Sequence, residues 1–524
     1  MALGAAQVAQ RFENPRDILG ERLRPGTIYR FLADFGAELF PDDYFADLYL
    51  ASSRGRPTVP ARVLATVTLL QSHEGLSDRE ACDRLEVDLR WQAAAGLDTG
   101  TEAFHPTVLV GHRNRLRASA QPRRLFEDTK VVARSAGVLK GRARVLDSTP
   151  LYDSVATQDT VTQLRAAIRK LLRALDQDAP ALASKVRSVL TRDDDYASVG
   201  KPPCDWDDRG AREALVDALV GDGHAGLAAL EGATLVGSAA DAAALLALVV
   251  GQDVAKGDDG VFRIVRGVAK DRVISTVDPE ARHGHKSRNR RFDGYKTHAS
   301  IDPDSELVDE VVVTPANAPD RDAVEDLLAP SAEEDDKPEV VGDSAYAGAE
   351  TRDKIGRAGY KIRAKVPPVR NRGGRFSKDR FAIDLEDNTV ICPAGQRAAI
   401  VALRRGGGRA SFAPHCSACP LRQRCTSARK GRSVTIHPHE ALLQAARAEQ
   451  ATPEWLEGYR ADRPIVERKM AHFARRMWGG RKARCRGLSR ISTDVDTRGA
   501  VLNFARLAVL GVTLIDGEWV AAQG

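Results

Sequence analysis

The sequence predicts a mixed α/β fold with added helical parts, on three observations. Two short apolar runs, Arg142–Asp147 and Glu339–Val341 continuing into Gly342-Asp343, each lead into an aspartate. Tyr295–Ile301 and Leu307–Val313 flank the turn sequence Asp302-Pro-Asp-Ser and read as a hairpin. Elsewhere, apolar residues recur at the i, i+3, i+4 spacing of amphipathic helices.

Residues 1–135 read as mostly helical. Val63, Leu64, Val67 and Leu70 give helical periodicity over Ala61–Ser72, and Ser77 with Glu80 forms a capping-box pattern that opens a helix through Leu85. The short His73–Leu76 turn between them resembles a helix-turn-helix pair. A purely structural helical hairpin gives the same pattern, so DNA contact and simple packing both stand for this part.

Arg142–Asp147 is a strand, and Pro150 is expected to stop its pairing. Asp147 then lies at a strand's carboxyl end, where sheet-based enzymes place chemistry; a turn-capping aspartate is the alternative. From Asp159 to about Val254 the pattern is helical, with Leu164, Ile168, Leu171 and Leu175 on one face and further helices over Ala211–Leu219 and Ala239–Val250. No motif falls there, and it reads as an inserted helical subdomain. Strand character returns at Arg272–Thr276 and continues in the hairpin; then come a helix over Asp320–Leu328, the strand into Gly342-Asp343-Ser344-Ala345-Tyr346, and a strand over Lys361–Val366.

In Tyr459–Trp478, Val466, Met470, Phe473 and Met477 form one helical stripe, with Glu467 at its edge and Arg463 one turn earlier. No acid follows until Asp494, while Arg468, Lys469, Arg475, Arg476 and further bases to Arg490 do. One acid before a cationic tract suits a metal ligand beside a phosphate backbone; an Arg–Glu pair on a solvated face is the alternative.

At 524 residues the chain exceeds a single core, so several domains are expected. The expected divisions are a helical N-terminal DNA-binding part (1–135), a sheet in two pieces (136–158 and 266–368), a helical insertion (159–265), a cysteine-rich insert (369–440) and a helical end (441–524). The formal charge is only +6, but bases cluster in Arg282–Lys296, Lys361–Arg380 and Arg468–Arg490, which points to a polyanion-binding surface. The N-terminus lacks a signal pattern and no run reaches the ~18 apolar residues of a membrane span, so no membrane partner is expected.

Seven cysteines, an odd number with four clustered, fit a reducing cytoplasm and a metal site better than disulfides. Cys392, Cys416, Cys419 and Cys425 include a CxxC and suit Zn²⁺ in a closed tetrahedral site. An iron–sulfur cluster and four unligated thiols are the other readings. Arg370–Arg432 has few large apolar residues, so metal is expected to substitute for a core, and its many arginines make it a candidate DNA clamp. Cys82, Cys204 and Cys485 are isolated and read as packing residues.

The segments VLDSTPLYDS, DGYKTH, VTPANAPD, VGDSAY and YRADRPIVER resemble DDE transposases of bacterial insertion sequences, in the branch with a cysteine-rich insert before the glutamate helix. The resemblance runs from about Gly55 to Leu510, and the order of elements resembles the ribonuclease H-like (RNase H-like) fold: a mixed sheet flanked by helices. It implies Asp147, Asp343 and Glu467 as an acidic triad, accompanied by Tyr459 and Arg463. A basic residue expected seven after the glutamate is Ala474 here, leaving Arg475, Arg468 and Lys469 as candidates for its role.

The implied chemistry is in-line phosphoryl transfer with two Mg²⁺ (or Mn²⁺) ions about 4 Å apart, on double-stranded DNA. The implied partners are the element's terminal inverted repeats and a target, bound by a homodimer at the nucleoid of the cytoplasm. Lys296 and His298 share a strand face and either meet the phosphate backbone or form a polar face; Arg468, Lys469, Arg475 and Arg476 are further candidate DNA contacts. Ser148 and Ser344 are assigned to hydrogen bonding, and Asp153, Asp293 and Asp320 to caps and turns. The alternatives are an RNase H-like nuclease or resolvase without strand transfer, and a transposase-derived DNA-binding protein that is no longer catalytic.

Overall fold

The computed structural model describes residues 14–49, 58–287, 289–366, 369, 373–475 and 480–522. Gly55, Arg476, Met477 and Trp478, singled out above, lie outside the described residues.

Helices α1 (Ala61–Glu74) and α2 (Asp78–Val87) form as the capping pattern dictates. Ser77 Oγ accepts from the Glu80 N–H at 3.2 Å, and Glu80 Oε2 accepts from the Ser77 N–H at 2.7 Å. Helices α3 (Thr107–Ala118) and α4 (Arg124–Ser135) follow, and the N-terminal layer also holds helices over Ile28–Leu39 and Leu89–Ala95.

The sheet is built around β1 (Ala143–Tyr152). After it come β2 (Arg282–Ser287), β3 (Arg290–Ile301), β4 (Val308–Pro315), β5 (Glu339–Gly342) and β6 (Ile362–Ala364). Its order is β4-β3-β1-β5-β6, with β2 sharing the outer edge of β3. β3 is antiparallel to β1 and β4, while β1, β5 and β6 run parallel. The hairpin, the Gly342-Asp343 strand end and the Lys361–Val366 strand therefore stand as expected.

Two expectations need correction. β1 does not end at Asp147; it stays paired with β3 through Tyr152, and Pro150 lies opposite Lys296. The proline is tolerated because β1 leaves its parallel partner after Val145 and is an edge strand from there on, with no ladder on the side where the N–H is missing. Arg272–Thr276 is buried but belongs to no strand. Glutamine side chains take its backbone groups instead: Gln163 Nε2 donates to the Val273 carbonyl at 2.8 Å, and Gln252 Oε1 accepts from the Val273 N–H at 2.9 Å.

The helical insertion comprises α5 (Thr160–Asp178), α6 (Pro180–Val189), α7 (Arg209–Ala228) and α8 (Gly237–Gln252). Leu164, Ile168, Leu171 and Leu175 join Leu219, Leu246 and Val249 in a core of its own. The cysteine-rich insert is a five-stranded antiparallel meander: β7 (Ala382–Asp384), β8 (Thr389–Ile391), β9 (Arg397–Ala402), β10 (Gly408–Ser411) and β11 (Ser433–Ile436). It has an apolar core of Phe381, Val390, Phe412, Val434 and Ile436, so the expectation that metal replaces a core does not hold.

Helices α9 (Pro453–Phe473) and α10 (Leu488–Val509) close the molecule. Among the described residues, no helix is long and apolar enough to cross a membrane. Val466, Met470 and Phe473 are buried, as the stripe requires, in the same core that holds Val145 and Val341 of the sheet and Phe504 and Leu507 of α10. Asn503 pins three elements together. Its amide spans Val308 of β4, accepting from the N–H and donating to the carbonyl, both at 2.8 Å, and donates to Thr129 Oγ1 of α4 at 2.9 Å.

Replacing Asn503 by leucine would leave the buried Val308 N–H and carbonyl unpaired; the expected loss is about 2–4 kcal/mol in urea unfolding, and an unchanged midpoint would refute the pin. Burial also holds His112 and His298 neutral, each pushed down to about 4 from an ordinary 6.5. The unfolded chain binds these protons first, so stability is expected in full above about pH 6.5 and to fall as pH drops toward about 4. Thermal melts across that window check it: a flat melting temperature contradicts the prediction, and His298→Gln should flatten part of the slope.

Candidate active site

Val145 and Val341 form the last parallel pair between β1 and β5. Asp147 lies two residues further along β1, which the strand repeat returns to the face of that pair, and Asp343 follows directly on the end of β5. α9 crosses that face. Along it Tyr459, Arg463 and Glu467 are spaced i, i+4, i+8 and so share one side of the helix. Asp147, Asp343, Arg463 and Glu467 line one cleft of about 500 Å³.

Arg463 is the centre of this arrangement. Its guanidinium donates to the Leu146 carbonyl at 3.0 Å and to Asp147 Oδ2 at 2.9 Å, and its Nε lies 3.7 Å from Glu467 Oε1. The other Asp147 oxygen accepts from the Ser148 N–H at 2.8 Å. Burial raises the Asp147 carboxyl above its ordinary value; Arg463 opposes that shift and Asp343 adds to it. Asp343 Oδ1 accepts from the Ala345 N–H at 2.8 Å. Glu467 is the open member, its side chain 64% exposed.

Tyr459 sits at the base, stacked on Trp455 with ring centroids 4.9 Å apart and Lys365 over its other side at 4.9 Å. Asp462, the neighbour of Arg463, anchors the helix through Arg142 at 3.0 Å and Arg363 at 3.4 Å. Pro464 removes one helical N–H but does not end the helix.

The β1–β3 register puts Ala299 opposite Asp147, and His298 and Lys296 opposite Ser148 and Pro150. Lys296 and His298 therefore share a face, as expected, but the face opposite Asp147. His298 does not reach solvent: its ring lies between the Tyr346 hydroxyl at 3.1 Å and Thr314 Oγ1 at 3.0 Å. Lys296 reaches the cleft, where Nζ donates to Asp320 Oδ1 at 2.6 Å and to the Ala318 carbonyl at 2.8 Å.

Asp320 is the residue that sequence reasoning missed. Read as a cap, it is a fourth carboxylate in the cleft, and its Oδ2 accepts from Ser148 Oγ at 2.9 Å. Its place within VTPANAPD was the available signal. Asp153 and Asp293 do serve turns and local pairs, accepting from the Val155 N–H and from Thr157 Oγ1.

Beyond Glu467 the bases divide. Lys469 is buried and pairs with Glu306 Oε2 at 3.2 Å; Arg468 pairs with the same carboxylate from a half-exposed position. Arg475 is exposed at the helix end. Arg481, from the later part of the tract, lines the cleft, as do His285 and Lys286 of β2.

Among the described residues, no group of three or more His, Cys, Asp or Glu side chains is placed to hold a metal ion. The three acids therefore share a cleft without forming a finished ligand set; Arg463 lies between two of them. For the cysteines, the expectation of a Cys₄ zinc or iron–sulfur site finds no support in that geometry. Cys392, Cys416, Cys419 and Cys425 gather at one end of the meander, but Cys416 and Cys425 are buried within its apolar core. Burial raises the Cys425 thiol, favouring its protonated form.

Two family models match the chain. One described as "Transposase DDE domain" covers residues 391–508, and one described as "Transposase domain (DUF772)" covers residues 18–115. The first includes Glu467, Arg463 and Tyr459, and the second includes α1, α2 and most of α3. No curated protein and no solved structure matches. The two matches, to separate parts of the chain, indicate an insertion-sequence DDE transposase.

Proposed function

We propose that this transposase binds the ends of its mobile element, cleaves there, and transfers 3′ ends to target DNA, with Asp147, Asp343 and Glu467 as ligands for Mg²⁺ or Mn²⁺. The observation that carries the reading is the pair of aspartates, each two residues past one parallel strand pair, facing Glu467 across a single cleft. The sheet order β4-β3-β1-β5-β6, antiparallel on the β3 side and parallel on the other, supports an RNase H-like core. In this reading residues 136–158, 266–368 and 441–524 form the core, 1–135 a DNA-binding part, and 159–265 and 369–440 insertions.

An all-oxygen donor set suits a hard cation. Held by the three carboxylates, the ions supply positive charge where the attacking and leaving oxygens of a phosphodiester become negative. The protein's own groups do the rest. Arg463 holds Asp147 and Glu467 close together, and its guanidinium would neutralise the charge of the acids and of a phosphate brought to them. The Lys296–Asp320 pair, tied to Ser148, fixes β1 from the opposite face so that Asp147 keeps its direction. Arg481, exposed in the cleft's lining, holds the strand against the acids. Two element ends call for a homodimer on DNA.

An in vitro joining assay with pre-cut ends tests the proposal. Asp343→Asn and Glu467→Gln are expected to abolish metal-dependent product while leaving DNA binding intact; undiminished joining by either would refute it. Hydrolysis without joined product would leave a nuclease. Arg463→Gln removes a largely buried ion pair and should cost about 2–3 kcal/mol of stability as well as activity. Arg463→Lys should recover only part of the stability, since one ammonium nitrogen replaces the two guanidinium nitrogens that donate separately to the Leu146 carbonyl and Asp147. Wild-type stability in the glutamine variant would rule out the clasp.

A further inference from the structure

A second cleft of about 710 Å³ lies between the α1–α2 turn, α3 and the start of α10. Arg113, Arg117, Arg484 and Arg490 line it. The acids in its wall are already engaged. Asp78 pairs with Arg113 at 2.6 Å, Asp494 with Arg498 at 2.6 Å, and Glu80 caps α2. Arg484 donates to the Leu76 carbonyl. Among the described residues neither Arg117 nor Arg490 is in an ion pair, and Arg117 makes only a 3.1 Å hydrogen bond to Asn114. The cleft is thus left with a positive excess, and two of its cations are uncommitted.

A short ribbon connects this cleft to the catalytic one. Tyr152, the last residue of β1, donates its N–H to the Arg481 carbonyl at 2.8 Å and accepts from the Ala483 N–H at 2.7 Å. Lys482 is thereby bridged in parallel to the strand that carries Asp147. Arg481 lines the catalytic cleft and Arg484 the second one. The three residue steps from Arg481 to Arg484 reach at most about 10 Å, which is about three nucleotides at 3.4 Å per step along one strand. Lys482 and Arg486 are exposed along the way.

We propose that the second cleft takes the sugar-phosphate backbone of the same duplex whose end occupies the catalytic cleft, a few nucleotides from the scissile phosphate. This rests on the transposase reading for the identity of the duplex, but the cleft's affinity is measurable without any chemistry. The full-length protein is titrated with a fluorescein-labelled duplex of about 30 base pairs, by anisotropy, over a range of salt. In the double variant Arg117→Ala/Arg490→Ala, loss of two phosphate contacts should make the slope of log K against log salt shallower by about 1.8. Affinity near physiological salt should fall by about tenfold. Arg117→Lys/Arg490→Lys should keep the wild-type slope. Lys170→Ala/Lys185→Ala, two exposed cations on the helical insertion, should keep it too.

An unchanged slope in the arginine-to-alanine variant, or an equal loss in the insertion control, overturns the proposal. Steep wild-type binding without joined product would instead remove the chemistry and leave the second cleft in place.

Discussion

The arrangement depends on one clasp: the Arg463 guanidinium closed on the Leu146 carbonyl and the Asp147 carboxylate. It joins a helix to a strand more than three hundred positions away in sequence. The planar guanidinium satisfies a carbonyl and a carboxylate at once through two separate nitrogens. The carboxylate is mostly buried, where an unpaired charge would be costly. The clasp therefore sets the rotation of α9, and Glu467 follows one turn later as a consequence of helical repeat. Asp462 secures the same helix through two further arginines, and Lys365 lies over the ring of Tyr459.

Much of this was legible in the sequence, because it is encoded locally. The capping box at Ser77 and Glu80, the hairpin around Asp302-Pro-Asp-Ser, and the stripe Val466, Met470, Phe473 are short-range patterns, and the chain folds as they indicate. Where reading failed, the cause was a partner distant in sequence. Pro150 reads as a stop only if its strand has neighbours on both sides, and β1 has lost one by then. Arg272–Thr276 has strand composition but finds glutamine side chains in place of a ladder. Asp320 looks like a helix cap until Lys296 and Ser148 arrive from strands on the far side of the loop. Polar alternation put His298 and Lys296 on one face correctly, but could not tell which face the acids occupy or that one of the two residues is sealed beneath Tyr346.

The cysteine-rich insert teaches a similar lesson about composition. Scarcity of large apolar residues suggested a segment unable to bury a core. Two phenylalanines, several β-branched residues and two thiols are enough for a small meander, because narrow strands need few side chains to fill one face. Cys416 is held by its surroundings as well as by packing: its sulfur accepts from the Arg432 N–H at 3.4 Å, and Gly431 has a left-handed φ of +86° against it. A side chain at Gly431 would lie 3.2 Å from that sulfur.

The pin at Asn503 bears on how the polypeptide matures. Phe31 in the N-terminal layer packs against Phe504 and Trp519, and α4 is tied to α10 through Thr129. The N-terminal helices pack on one another, but the part of their apolar surface that meets α10 and Trp519 is covered only once those late residues have been made. Closing so long a loop is slow. A product cut short before α9 would lack both Arg463 and Glu467 and the part of the core that α9 and α10 supply, so the cleft forms only after these two late helices have joined the sheet.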